Sequence, residues 1–310
     1  MISEVSDDMD TSFIRGVIPP IVTPVDDEER LDEQGLRRIV DHVIEGGVHG
    51  ILALGSNGEF FGLDPEDQQR VVAVTVQQSA GRVPVYAGIA AISTREGIKQ
   101  ARKYEELGAQ AISILPPMFI SPTQDELFDH FKKIAESTSL PVLLYNNPDK
   151  VGNYITSALL ERLAEVPNIV GVKDSSGDQT LTAEYIRRTR AKGFKVLAGR
   201  DIMILSTLVY GGAGCVASTA NVVPRLVVEI YDKFMAGDIQ GALEAQYKLA
   251  PLRMAWNLGS FPVATKDAVN LIGLQAGKPI LPNTSCSVEN QGKLRAILEG
   301  LGAIRSSQTQ

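Results

Sequence analysis

The sequence predicts an α/β protein, a (β/α)8 TIM barrel with a C-terminal helical extension. Three observations carry this. Eight short apolar runs recur, rich in β-branched residues, with starts spaced roughly 20 to 35 residues apart, the size of a βα unit. Stretches with helical periodicity lie between them. The alternation then stops, and only helical patterns follow.

The runs are GVIPPIVTP from Gly16, VHGILALG from Val48, VPVYAGI from Val83, QAISILP from Gln110, PVLLYN from Pro141, NIVGVK from Asn168, FKVLAG from Phe194 and AGCVAS from Ala213. Continuous apolar strands alternating with helices argue for a parallel sheet covered on both faces. A count of eight argues for closure into a barrel. An open doubly wound sheet is the alternative, but no GxGxxG turn follows the first strand.

Between the runs, Leu36, Ile39, Val40 and Val43 make one apolar helix face, and Leu127, Phe128, Phe131 and Ile134 make another. Asp64 with Pro65 opens one helix, and Ser93 or Thr94 opens another. Gly108 closes a helix as a C′ glycine. After Ser218, VVPRLVVEIYDKFMAGDIQGALEAQYKLAPLRMAW reads as two helices broken near Gly237. FPVATKDAVNLIG and VENQGKLRAILEGLG read as two more. The expected organisation is an N-terminal tail over 1–15, the barrel over 16–221 and a helical region over 222–310. The closing RSSQTQ is expected to fray.

Composition removes several function classes. The 310 residues carry a scattered net charge of −7, which argues against a nucleic-acid surface. Hydrophobic residues are 44%, enough for a large core. No apolar run is long enough to cross a membrane, and MISEVSDDMDTSF lacks the basic start and apolar run of a signal peptide. Two cysteines, Cys215 and Cys286, make no disulfide framework and fit a reducing cytoplasm. The three histidines, His42, His49 and His130, have no metal-ligand spacing. GGAG at 211–214 precedes the eighth strand instead of following it, so it is a poor phosphate cradle, and a pyridoxal phosphate site lacks support.

Active sites of such barrels lie at the carboxyl ends of the strands. There the sequence places GSNGEF at 55–60, Tyr145, Lys173, and Val216 with Ser218. Lys173 closes the apolar strand NIVGVK. Burial among Ile169, Val170 and Val172 would disfavour the ammonium and expose a nucleophile that attacks a carbonyl carbon to form a Schiff base. Snorkelling into water is the competing reading. Tyr145 either fills the barrel top or moves a proton to and from substrate oxygen. GSNG is either an ordinary glycine turn or a backbone cradle for a carboxylate.

GSNGEF, PVLLYNNP, NIVGVKDSSGD and GCVASTAN occur in one order and spacing. Through them the chain resembles the dihydrodipicolinate synthase and N-acetylneuraminate lyase family of class I, pyruvate-type aldolases, over nearly its whole length. The resemblance implies a cytoplasmic (β/α)8 barrel with C-terminal helices, assembled as a homo-oligomer, tetramer or dimer. It implies a small 2-keto acid substrate, with no metal or organic cofactor and no nucleic-acid or membrane partner. It makes Lys173 the Schiff-base lysine, Tyr145 the general acid/base and Ser56 a proton relay. Asn57 then binds the α-keto-acid carboxylate, with the backbone of Val216 near the pyruvyl group.

Two positions depart from the synthase pattern. Phe119, in PPMFISPTQ, stands where the synthases place a tyrosine that reaches into the neighbouring subunit's site. Lys150, in NNPDKVG, replaces an arginine that holds the second substrate's carboxylate. It keeps the charge but loses the bidentate fork. Phe119, Ile120, Lys150 and Asn221 are the expected lining of the second half of the site. Both departures count against the synthase. GSNGEF with KDSSGD looks more like the 4-hydroxy-2-oxoglutarate aldolases and 2-keto-3-deoxy sugar-acid aldolases or dehydratases of this superfamily. The expected activity is therefore a Schiff-base lyase, aldolase or dehydratase, acting on a 2-keto-3-deoxy or 4-hydroxy-2-oxo acid. The alternatives are 4-hydroxy-tetrahydrodipicolinate synthase, condensing pyruvate with aspartate semialdehyde, and a catalytically idle keto-acid-binding protein on the same scaffold.

Overall fold

The computed structural model describes residues 9–305. The first eight residues of the expected tail, and all of RSSQTQ beyond Arg305, lie outside that range. Eight parallel strands form one sheet: β1 (Gly16–Val17), β2 (Ile51–Ala53), β3 (Val85–Ile89), β4 (Ala111–Ile114), β5 (Val142–Asn146), β6 (Ile169–Asp174), β7 (Lys195–Ala198) and β8 (Gly214–Cys215). From β2 to β8 each strand pairs with its sequence neighbours, and β1 pairs with β8. The seam between β1 and β2 is a single parallel bridge, Pro20 to Leu52. It carries bonds from Leu52 N–H to the Pro19 carbonyl at 2.9 Å and from Ile21 N–H to the Leu52 carbonyl at 3.0 Å. The first run is thus shorter as a strand than its nine apolar residues suggest. Pro19 and Pro20 have no N–H to continue a ladder.

Side chains alternate across each strand. Leu52, Tyr86, Ala111, Leu143, Leu197 and Val216 pack together inside the barrel. Val142, Leu144, Val172, Val196 and Ala198 join the outer core under the helices. Ile14, fully buried, packs with Ile18 and Tyr86 in the interior cluster, so the chain is anchored before β1 begins.

The intervening helices start and stop where local chemistry dictates. Ser93 caps Thr94–Glu106 by accepting from Glu96 N–H at 3.2 Å. Thr123 and Glu126 form a reciprocal capping box on Gln124–Ala135. Pro65 occupies the first turn of Pro65–Ser79, although the Asp64 side chain makes no cap bond. Gly108 takes φ +87° just past its helix. Beyond β8, four helices follow: Pro224–Met235, Ile239–Ala255, Val263–Leu271 and Val288–Gly300. The first two are separated at Gly237, whose φ of +82° suits glycine. Short helices Pro148–Val151, Ser157–Leu163 and Ile204–Val209 were not visible as periodic patterns. Among the described residues, no helix is long and apolar enough to cross a membrane.

His130 is buried on Gln124–Ala135, with Nδ1 2.9 Å from Thr94 Oγ1 and Nε2 unpartnered. Burial pushes its imidazole down to about 4. The folded state therefore resists a proton that the unfolded chain accepts at its ordinary value of 6.5. This contribution is whole above 6.5 and is lost as pH falls toward 4. It amounts to about 2–3 kcal/mol between pH 7 and 4.5. Urea unfolding at those two pH values should show His130→Leu losing less stability on acidification than the parent, and equal losses would disprove the account.

Candidate active site

The site grows from the register between β5 and β6. Their ladder sets Tyr145 opposite Lys173 and Asn146 opposite Asp174. Alternation sends Lys173 and Tyr145 toward the mouth, where Lys173 Nζ lies 3.8 Å from the centroid of the Tyr145 ring. Both are buried, at 4% and 5% exposure. A buried lysine beside an aromatic face is not snorkelling, which decides between the two readings of the strand.

The same alternation corrects one expectation. Val172 lies on the opposite face from the amine, and Ile169, displaced by the register shift opposite Val142 and Leu143, joins it in the outer core. The neighbour that meets Lys173 is Tyr145, from the adjacent strand. Asp174 turns the other way and accepts from Asn146 Nδ2 at 2.9 Å, Thr182 Oγ1 at 2.6 Å and Ser176 N–H at 3.1 Å. That network locks the end of β6. Gly199 is required beside it, because a Cβ there would lie 2.0 Å from Ser175 Oγ.

Tyr145 is the most strongly conditioned group at the mouth. Burial raises its phenol, but the positive charge of Lys173 and hydrogen bonds from Ser56, Lys173 and Ser175 outweigh that and hold it below its ordinary value. Asn147 Nδ2 also donates to the phenol oxygen at 2.9 Å. A phenol poised in this way can take a proton from an attacking amine and return it to a departing oxygen.

Ser56 and Asn57 sit in the short turn Ser56–Gly58 that follows β2, both buried. Asn57 Oδ1 has no partner. Asn57, Tyr145, Lys150, Lys173 and Val216 line one cavity of about 290 Å³. Phe119 does not. It is 95% exposed at φ +72°, and Ile120 beside it is 45% exposed. Both point away from this chain's own cavity. Asn221 is also not part of the lining. Its amide is spent on Val22 N–H at 3.0 Å, the Pro20 carbonyl at 2.9 Å and the Ser218 carbonyl at 3.0 Å, a tie between the segments that follow β1 and β8.

Sequence reasoning missed Ser175, Arg200, Asp201, Arg253 and Trp256, which also line the cavity. Arg200 ends the β7 run, so the strand-end rule could have found it. Arg253 and Trp256 come from the helical extension, and no local pattern points them at the barrel mouth. Among the described residues, no group of three or more His, Cys, Asp or Glu side chains is placed to hold a metal ion.

The turn that carries Ser56 and Asn57 is held from behind. Glu59 adopts φ +50°, unusual for a residue with a side chain. Its carboxylate accepts from Lys266 Nζ at 2.6 Å and from Ile280 N–H at 2.8 Å. Both side chains of the ion pair are 1% exposed. Burial draws the Lys266 amine below its ordinary value, and the charge of Glu59 opposes this.

A buried lysine facing a tyrosine at the carboxyl ends of adjacent barrel strands defines a class I, Schiff-base lyase. A sequence model of the dihydrodipicolinate synthetase family matches residues 13–301, and the chain belongs to that family. It is 39% identical over 286 residues to a 4-hydroxy-tetrahydrodipicolinate synthase of Methanothrix thermoacetophila, covering 92% of this chain and 96% of the relative. The corresponding protein of Methanopyrus kandleri is 38% identical over 293 residues, covering 94% and 97%. Among solved structures, dihydrodipicolinate synthase from Thermotoga maritima superposes with a TM-score of 0.91 at 30% identity, over 94% of this chain and 99% of that one. A prophage protein of the same family from E. coli K12, solved in complex with pyruvate, gives 0.90 at 28% identity over the same shares.

Lys266→Met leaves Glu59 buried without its counter-charge. Urea denaturation should show a loss of about 3–5 kcal/mol. Glu59→Gln/Lys266→Met, which removes both charges, should recover part of it. A single variant as stable as the parent would show that the pair does not hold the turn.

Proposed function

We propose that the chain forms an imine between Lys173 Nζ and C2 of pyruvate or a longer 2-keto acid. What supports this most directly is the placement of the Lys173 amine against Tyr145. The neutral amine attacks C2. Tyr145, relayed by Ser56, carries the proton to the carbonyl oxygen, and water leaves. Asn57 and the backbone at Val216 hold the keto acid's carboxylate and pyruvyl group. The protonated imine withdraws electrons, so that C3 loses a proton to give an enamine, or a C3–C4 bond breaks to give the same enamine.

The first reading of the second half-reaction is condensation with aspartate semialdehyde, as the names of the 35–39% identical relatives suggest. The enamine carbon attacks the aldehyde. The acceptor's own amine then attacks the imine carbon, closing a ring and freeing Lys173. The comparisons favour this synthase over the keto-sugar-acid lyase expected from the motifs.

A second reading is favoured by two residues. Phe119 has no hydroxyl to pass a proton, and Lys150 cannot grip a carboxylate with two parallel bonds. On this reading the enzyme cleaves or dehydrates a 4-hydroxy-2-oxo or 2-keto-3-deoxy acid. The exposure of Phe119 and the resemblance together support a homo-oligomer, tetramer or dimer, in which that ring is covered.

Borohydride reduction with pyruvate, read by mass spectrometry, should trap a single adduct on Lys173 and none in Lys173→Arg; its absence in the parent would overturn the mechanism. Tyr145→Phe should lower kcat by about 10²–10⁴. Turnover with pyruvate and aspartate semialdehyde supports the first reading, and cleavage of a hydroxy-keto acid supports the second. Adduct formation without turnover on either would identify an idle binding protein.

A further inference from the structure

The mouth of the barrel carries more positive charge than the chain itself neutralises. Lys150, Lys173, Arg200 and Arg253 all line the cavity, against Asp149 and Asp201. Neither carboxylate is free. Asp149 pairs with Arg200 Nη2. Asp201 is buried and accepts from Ser218 N–H at 3.3 Å, Ser218 Oγ at 3.1 Å and Thr219 N–H at 2.7 Å.

The cations differ in how they are held. Arg200 is also fixed by Nε, which donates to the Ser175 carbonyl at 2.8 Å. Lys150 lies 4.9 Å from the centre of the Phe261 ring. Arg253 is half-buried, and among the described residues its guanidinium has no ion pair and no hydrogen bond. A guanidinium turned toward a cavity without a partner is an open seat for an anion, because its five donors are oriented and otherwise unused.

Its wall is rigid. Arg253, Trp256 and Asn257 lie one helical turn apart at the end of Ile239–Ala255 and all face the cavity. Trp256 Nε1 donates to Ser218 Oγ at 2.7 Å, which ties that turn to the loop after β8.

We propose that Arg253 determines specificity by receiving a second carboxylate, one carried by the substrate in addition to the carboxylate next to the keto group. The inference rests on keto-acid binding at Lys173, and it fits the synthase reading and the diacid branch of the lyase reading. Aspartate semialdehyde and a 4-hydroxy-2-oxo diacid both bring such a group. A 2-keto-3-deoxy sugar acid with an uncharged tail does not, and Arg253 would select against it. The helical extension thus supplies the bidentate cation that Lys150, on its short helix after β5, does not.

The test compares two five-carbon ligands that differ in one group: 2-oxoglutarate, with a distal carboxylate, and 2-oxopentanoate, without it. Half-saturating concentrations for borohydride trapping on Lys173 are read by mass spectrometry. The parent should prefer 2-oxoglutarate by at least about ten-fold, the least that one charge-assisted hydrogen bond supplies. Arg253→Gln should bring the two ligands close to parity, and Arg253→Lys should restore part of the preference. No preference in the parent would overturn the proposal without recourse to any variant, as would a preference that survives in folded Arg253→Gln. Failure of the parent to trap pyruvate itself would instead overturn the imine reading beneath it.

Discussion

The buried ion pair between Glu59 and Lys266 is the constraint on which the site depends. It joins the turn after β2 to a helix more than two hundred residues later in the chain. Its second acceptor oxygen reaches the backbone at Ile280, so the turn is pinned at two points of the helical extension. The turn in question presents Asn57 to the mouth and Ser56 to the Tyr145 phenol, and Glu59 holds a left-handed backbone conformation within it. A charge pair with both members out of water is costly unless each partner is satisfied, and this one is satisfied on both sides. The extension is therefore part of the active-site architecture and not an appendage to it.

The chemistry at the mouth follows from pairing register and alternation. Two parallel strands in register bring one side chain from each to the same depth, and a one-residue slip would turn both to the opposite face. The register that pairs Tyr145 with Lys173 also pairs Asn146 with Asp174 on the outer face. The outward pair is hydrogen-bonded, and Asp174 takes further bonds from Thr182 and Ser176. Structural polar residues thus hold the strand ends while their neighbours, Tyr145 and Lys173, face the mouth. The phenol of Tyr145 is drawn below its ordinary value by the amine it faces and by hydroxyl donors around it, against the effect of burial.

Much of this was legible along the chain. The eight runs became eight strands, the helices after β8 appeared where periodicity placed them, and Lys173, Tyr145, Asn57, Val216 and Lys150 meet at one cavity, with Ser56 behind them on the Tyr145 phenol. The errors are instructive. Val172 was expected beside the amine because it is adjacent in sequence, yet adjacency on a strand means opposite faces. Asn221 was expected at the substrate and instead ties the segment after β8 to the segment after β1, a contact between residues about two hundred positions apart.

What the sequence by itself determined is the order of elements, the closure suggested by their number, and the kinds of side chain that end each strand. These are local properties: a period of two or 3.6, a cap, a proline without an N–H. Only the tertiary structure decided which of those strand ends face each other, that Glu59 is answered by Lys266, and that Arg253 and Trp256 swing from a helix of the extension to the wall of the mouth. Those contacts span long stretches of chain, and no local pattern records them. They are set by how a closed barrel brings distant backbone together, and by the requirement that every charge taken out of water find its partner there.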